Sequence, residues 1–195
     1  MTLAPWPTPN WPEGVPQEIA DYDIPLFNLI DEAAQNYPNQ TYTIFNDAPR
    51  TFAQVKETAD RIANFLHAKG IRKGDRVAIF LHNLPHYPAI YFGILKAGAV
   101  CVTCNPLYTP TELNYQLKDA GARALFCMDH PGFYPTTVEA VRAAGGGAED
   151  LARSWAAVEA SGVGVELGSL PGETAPSDIA EAARAAVTAV FFPEG

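Results

Sequence analysis

Three cysteines and four histidines carry most of the nucleophilic and metal-binding potential of this chain, and their spacing decides what they can do. Cys101-x-x-Cys104 and Cys127-x-x-His130 have the residue types of a tetrahedral zinc site. Their surroundings argue against one. The run "AVCVTCN" reads as a strand, and strand residues three apart point to opposite faces. The 22 residues between the two pairs also exceed the usual ~15–20. Buried core thiols are the reading these positions support, and no metal site is assigned. A redox pair is excluded as well, because that motif belongs at a helix N-terminus.

Nucleophilic catalysis finds no better footing. There is no G-x-S-x-G elbow, and Ser154, Ser161, Ser169 and Ser177 fall in a Gly/Ala-rich stretch or at a helix cap. His67, His82, His86 and His130 have no carboxylate at a distinguishing spacing. His82 and His86 follow the end of a strand, where open α/β sheets bind ligands, and they stay as minor candidates. Neither a G-x-G-x-x-G nor a G-x-x-x-x-G-K-[ST] loop is present. No catalytic residue is assigned.

The elements that would position any chemistry alternate. "LFNLIDEAAQNYP" predicts a helix stopped before Pro38, and "TYTIFN" a short strand. In "TFAQVKETADRIANFLHAKG", Phe52, Val55, Ala59, Ile62 and Leu66 form one apolar stripe. Thr51 and Gln54 make its capping box, and Gly70 ends it. "DRVAIFL" is apolar enough for a strand buried on both faces of a parallel sheet. "NLPHYPAIYFGILKAG" follows as a helix with prolines in or near its first turn, then "AVCVTCN" as a second buried strand. "TPTELNYQLKDAG" is a helix with Thr109 as cap, Pro110 first, Glu112 closing the box and Gly121 last. "ARALFCMD" and "PTTVEAVRAAGG" continue the pattern as strand and helix. The implied fold is α/β, an open, mostly parallel sheet flanked by helices. Its central strands are expected at Val77–Leu81, Val100–Thr103, Leu125–Met128 and Val187–Phe192.

Two segments stand outside this pattern. Residues 1–25 form a Pro-rich arm whose Trp6 and Trp11 are expected to pack on the body of the protein. Residues 145–176 are a Gly/Ala-rich surface excursion with one short helix around Trp155. "SDIAEAARAA" is then a Ser-capped helix, and "VTAVFFP" returns to the sheet. Residues 26–195 are therefore read as one α/β unit.

With 48% hydrophobic and 18% charged residues the composition is that of a globular protein. The net charge of −9 argues against nucleic acid and against anionic membrane surfaces. No basic, apolar leader opens the chain, and no run approaches the ~18 apolar residues of a membrane-spanning helix. Three cysteines without a leader point to a cytoplasmic address.

Dense strings inside residues 26–142 carry a family resemblance. "LKAGAV" with "NPLYTPTEL", preceded by "TFAQV" and "ANFL", resembles the N-terminal portion of adenylate-forming (AMP-dependent synthetase/ligase) enzymes of the long-chain fatty-acid:CoA ligase type. Agreement is thin over 143–176 and resumes from 177. The resemblance implies an acid–thiol ligase that uses ATP, Mg²⁺ and CoA. A fatty acid would be joined to AMP with release of pyrophosphate, then passed to CoA.

In that family a buried strand leads into a phosphate loop of the form "[YF]-T-S-G-T-T-G-x-P-K-G". "AVFFPEG" falls there, with Phe192 at the aromatic position and Gly195 at the first glycine. Pro193 and Glu194 depart from the pattern by replacing two hydroxyl donors, and a carboxylate repels triphosphate. The expectation is an N-terminal segment that stops at the start of its ATP loop, is inactive by itself and binds none of these cofactors tightly. The alternative is a non-catalytic interaction or dimerisation module that keeps the family fold. The resemblance also implies a homodimer through the N-terminal part, and a location peripheral to a membrane as a variant of the cytoplasmic one. One of Phe191 and Phe192 is expected to lack an apolar neighbour, leaving an edge that self-associates.

Overall fold

The computed structural model describes residues 12, 14, 23–45, 47–129, 134–143 and 186–192. Helix α1 (Asn28–Asn36) precedes a hairpin of β1 (Thr41–Phe45) and β2 (Ala48–Thr51). Then come α2 (Phe52–Ala68), β3 (Arg76–Phe80), α3 (His86–Lys96), β4 (Val100–Thr103) and α4 (Pro110–Ala120). β5 (Ala122–Asp129), α5 (Tyr134–Ala143) and β6 (Ala186–Phe191) complete the order.

The caps form where the residue types require them. Thr51 and Gln54 exchange hydrogen bonds at the start of α2, and Thr109 and Glu112 do the same at α4 behind Pro110. At the end of α2, Gly70 takes a left-handed φ of 86°. Its N–H donates to His67 O and that of Ile71 to Leu66 O, which closes a Schellman motif sealed by buried Ile71. Gly98 and Ala99 repeat the same pair of bonds behind α3.

A four-stranded sheet runs in the order β4-β3-β5-β6, and β1-β2 form a separate antiparallel pair. β3 is parallel to β4 and to β5. Alternation along the strands divides the core in two. Val77, Ile79, Ala124 and Phe126 face α1, α2 and α3, whereas Ala78, Phe80, Leu125 and Cys127 face α4 and α5. The α/β architecture with a mostly parallel sheet is as the sequence implies.

Four details differ from expectation. β4 is an edge strand among those described, with Val100 and Thr103 exposed, so its apolar run does not mean burial on both faces. β6 pairs antiparallel with β5, placing Phe191 opposite Ala124 and Ala186 opposite Asp129. Phe191 and Phe192 both keep apolar neighbours, one on each face, and Phe191 meets Phe65 edge-on at 5.7 Å. β2 went unread because Pro49 lies inside it, and proline is tolerated only on such an edge. The packing of Trp6 and Trp11, the helix around Trp155, the Ser-capped helix and the excursion lie outside the described residues.

Candidate functional site

The chemistry-bearing positions fall at opposite ends of the sheet. At the carboxyl ends of the parallel strands, β3 sends the chain to α3 on one face. Its neighbours β4 and β5 lead to α4 and α5 on the other. A crevice beside the end of β3 follows from that divergence, the place where open α/β sheets take ligands. His82 and Asn83 lie there, and His86 begins α3 as a buried residue. Between this turn and β1 is a groove of about 260 Å³, lined in part by Thr43, Ile44, Phe45, Leu84, Tyr87 and Pro88. It is mainly apolar, and its lining residues include no carboxylate.

The opposite end holds Phe192. Because β6 runs antiparallel, its last residue lies beside the beginnings of β3 and β5. The Phe192 N–H donates to Arg123 O at 2.8 Å, and its ring packs on the α4–α5 side of the sheet. Phe192 therefore aims the chain, but its N–H is already used within the sheet. Gly195, Pro193 and Glu194 lie outside the described residues. The structure does not bring Phe192 together with His82 and His86.

Two arginines and an aspartate mark the Phe192 end. Arg123 Nη1 lies 2.9 Å from Asp75 Oδ2 in a half-buried ion pair. The Arg76 guanidinium donates to Ala120 O and Gly121 O, both at 2.9 Å, and so satisfies carbonyls at the end of α4. Sequence reasoning passed over both arginines. The available signal was the repeated Gly-x-Arg in front of a strand, Gly74-Asp75-Arg76 and Gly121-Ala122-Arg123.

The cysteines behave as core. Cys101 packs on the α2–α3 side of the sheet, and Cys104, just beyond β4, on the α4–α5 side. Burial, with the nearby Cys104 thiol adding to it, pushes the Cys101 thiol up to about 12, and burial pushes Cys104 up to about 11. Both stay protonated at neutral pH, which does not suit thiolate chemistry, and the two thiols lie on opposite sides of the sheet. His67 Nε2 lies 3.0 Å from Ala97 O and ties α2 to the end of α3. His130 lies outside the described residues.

Comparison with known proteins decides the family. The profile of the family described as AMP-binding enzyme matches residues 30–185, most of the chain. The chain belongs to the AMP-binding enzyme family. Its match to a long-chain-fatty-acid–CoA ligase of Bacillus subtilis is 36% identical over 125 residues, 64% of this chain and 22% of that protein. The like-named protein of Salmonella typhimurium is 40% identical over 123 residues, again 22% of its length. Among solved structures, a Mycobacterium tuberculosis fatty acyl CoA synthetase superposes with a TM-score of 0.54 at 29% identity. That match covers 60% of this chain and 23% of the synthetase. The AMP-binding fold is thus present, and the aligned part spans about a fifth of these relatives' length.

Proposed function

We propose that this chain supplies the N-terminal α/β part of an ATP-dependent long-chain acyl-CoA synthetase, which makes acyl-CoA, AMP and pyrophosphate from fatty acid, ATP and CoA. The observation that carries this reading is the 36–40% identity to two long-chain-fatty-acid–CoA ligases over 123–125 residues. The address that goes with it is cytoplasmic. Among the described residues no helix is long and apolar enough to cross a membrane.

The described residues do not fit a triphosphate site. The Phe192 N–H is taken by Arg123 O, Arg123 is paired with Asp75, and Arg76 serves backbone carbonyls. Among the described residues no three His, Cys, Asp or Glu side chains gather as a metal site. The part played by this segment is positional: β6 and Phe192 set the direction in which the chain continues towards Gly195. Residues 1–195 alone should therefore not activate fatty acids.

The test is fatty-acid-dependent ATP–pyrophosphate exchange by the product of the reading frame that carries residues 1–195, expressed to its stop codon. Exchange with long-chain acids, and none with residues 1–195 alone, is the expected result. A folded product with no exchange for any carboxylic acid would overturn the enzyme reading and favour a non-catalytic interaction module. Exchange by residues 1–195 alone would overturn the positional role.

A further inference from the structure

We propose that helix α1 is a strap that opens as a unit about a hinge at Tyr37, held shut by the contact of Asp31 with Lys96. Three helices meet at that lysine. Lys96, in the last turn of α3 and only 9% exposed, bonds Asp31 of α1 and Asp60 of α2. Lys56 of α2 completes the group, 2.6 Å from Asp60 and 3.9 Å from Asp31. α2 and α3 do not depend on these charges for their contact, because they interlock where Gly93 meets Ile62. α1 has less to hold it. It buries two side chains, Ile30 and Ala34, where α2 buries seven, so the Asp31 contact is a large share of its attachment.

The helix is loosely fixed at its start and anchored at its end. No side chain caps its first turn, and at nine residues it keeps its shape only while docked. Just past its last residue, Tyr37 leaves the helix at φ −135° and ψ 49°. The turn beyond is tied to the start of α2, since the Phe52 N–H donates to Gln40 O and the Ala53 N–H to Pro38 O. That anchored turn is the hinge. Asp31 lies about 9 Å back along the helix and is the latch.

Opening leaves no buried charge without a partner. Asp31 passes to water, and Lys96 keeps Asp60. Both the shut and the open state are therefore satisfied electrostatically, and the balance between them turns on one ion pair and on the burial of Ile30. Elements with few buried apolar contacts open well below the limit set by global unfolding. Each opening bares the Lys96 ammonium, which the shut strap nearly buries.

The experiment is native-state amide hydrogen exchange on the full chain. The amides of Glu32–Tyr37 should exchange at one common protection level, with weak urea dependence, and about tenfold or more faster than those of the α2 core. Asp31→Asn keeps the shape and removes the charge, and should speed α1 exchange about two- to tenfold. Gly93→Ala weakens a contact that the open state retains, so it should speed exchange in α2 and leave α1 unchanged. Equal protection in α1 and α2, or a Gly93→Ala effect equal on both, would show that α1 leaves only with the whole fold and overturn the proposal. Protection graded from Glu32 to Tyr37 would mean fraying from the first turn and overturn opening as a unit. Unchanged α1 exchange in Asp31→Asn would overturn Asp31 as the latch.

Discussion

On one side of the sheet α2 crosses α3 at Gly93, where the helices come so near that a Cβ would lie 2.6 Å from Ile62 Cγ2. On the other side α4 is held by polar side chains that reach backbone carbonyls. Arg76 reaches Ala120 and Gly121, Asn114 Nδ2 donates to Ala140 O at 3.0 Å, and Gln116 Nε2 donates to Thr103 O at 3.2 Å. The first side depends on close packing of apolar surface, which is short-ranged and unforgiving of added volume. The second depends on separate hydrogen bonds, each of modest net worth. The α2–α3 side should therefore fail abruptly when perturbed, and the α4 side by small steps.

Gly93 is where this contrast breaks most sharply. A methyl there would meet Ala59 O at 2.9 Å as well as Ile62, and a backbone carbonyl inside a helix cannot turn aside. Gly93→Ala should destabilise by about 1–3 kcal/mol through overpacking, and Gly93→Val by more. The shift of the urea midpoint measures it. A midpoint unchanged by Gly93→Val would show that the helices separate without penalty, contrary to close packing on this side.

Arg76 tests the α4 side. Arg76→Met keeps much of the side chain's apolar length but withdraws the donors from Ala120 O and Gly121 O. Those carbonyls lie near solvent and can turn to water, so a loss of about 1–2 kcal/mol is expected, below that of Gly93→Val. Gly121→Ala approaches the same contact from the other partner. Its φ of 57° is left-handed and its Cβ would lie 2.7 Å from Arg76 Nη2. In a double-mutant cycle the two changes should be non-additive. Strict additivity would mean that Arg76 does not depend on Gly121.

The difference between the two sides also sets what was legible in the sequence. The α2 stripe, the Thr51 and Thr109 boxes and the stops at Gly70 and Gly121 were readable because each is local and uses a residue type suited to one task. The close approach at Gly93 was not readable, since a glycine inside "YFGILK" gives no sign of what crosses it. Arg76 and Arg123 look like ordinary surface cations until strand order brings Arg76 within reach of Ala120, 44 residues away. The antiparallel entry of β6 was hidden for the same reason, because direction in a sheet is a long-range property. Of the two positions read as the ATP loop, Phe192 turns out to serve the sheet through its N–H.

Thr109→Ala is a smaller perturbation on the α4 side. It removes the hydroxyl that accepts from the Glu112 N–H and donates to the Glu112 carboxylate, while the backbone N–H of residue 109 still donates to that carboxylate. Hydrogen bonds from the Thr109 backbone and hydroxyl hold the Glu112 carboxyl below the usual range, so the cap favours the ionised acid. A loss of about 1 kcal/mol is expected, read again from the denaturant midpoint. Thr51→Ala at the matching box of α2 should cost about as much, since a cap does not depend on what its helix packs against. A loss at Thr51 several times that at Thr109 would show that α2 packing amplifies its cap, and the two sides would then differ even in their local bonds.

The smallest effect concerns charge on the α2–α3 side. Lys96, nearly buried, bonds both Asp31 and Asp60, and Lys56 bonds Asp60 at 2.6 Å. Burial pushes the Asp60 carboxyl up, but hydrogen bonds and charge from Lys56 and Lys96 outweigh it, and the net direction is down. A carboxyl whose pKa is depressed on folding contributes stability that is fully present above its unfolded value of about 3.9 and is lost as pH falls through the folded value. The difference in unfolding free energy between the parent and Asp60→Asn should accordingly be steady from neutral pH down to roughly pH 5 and shrink below about pH 4. Its size stays small, because Asp60 is 40% exposed and solvent screens such pairs. Added salt should reduce it at neutral pH while leaving the Gly93→Ala difference unchanged. A difference that grows as the pH is lowered would mean that burial governs Asp60, and that its carboxylate weakens the contact it lies beside.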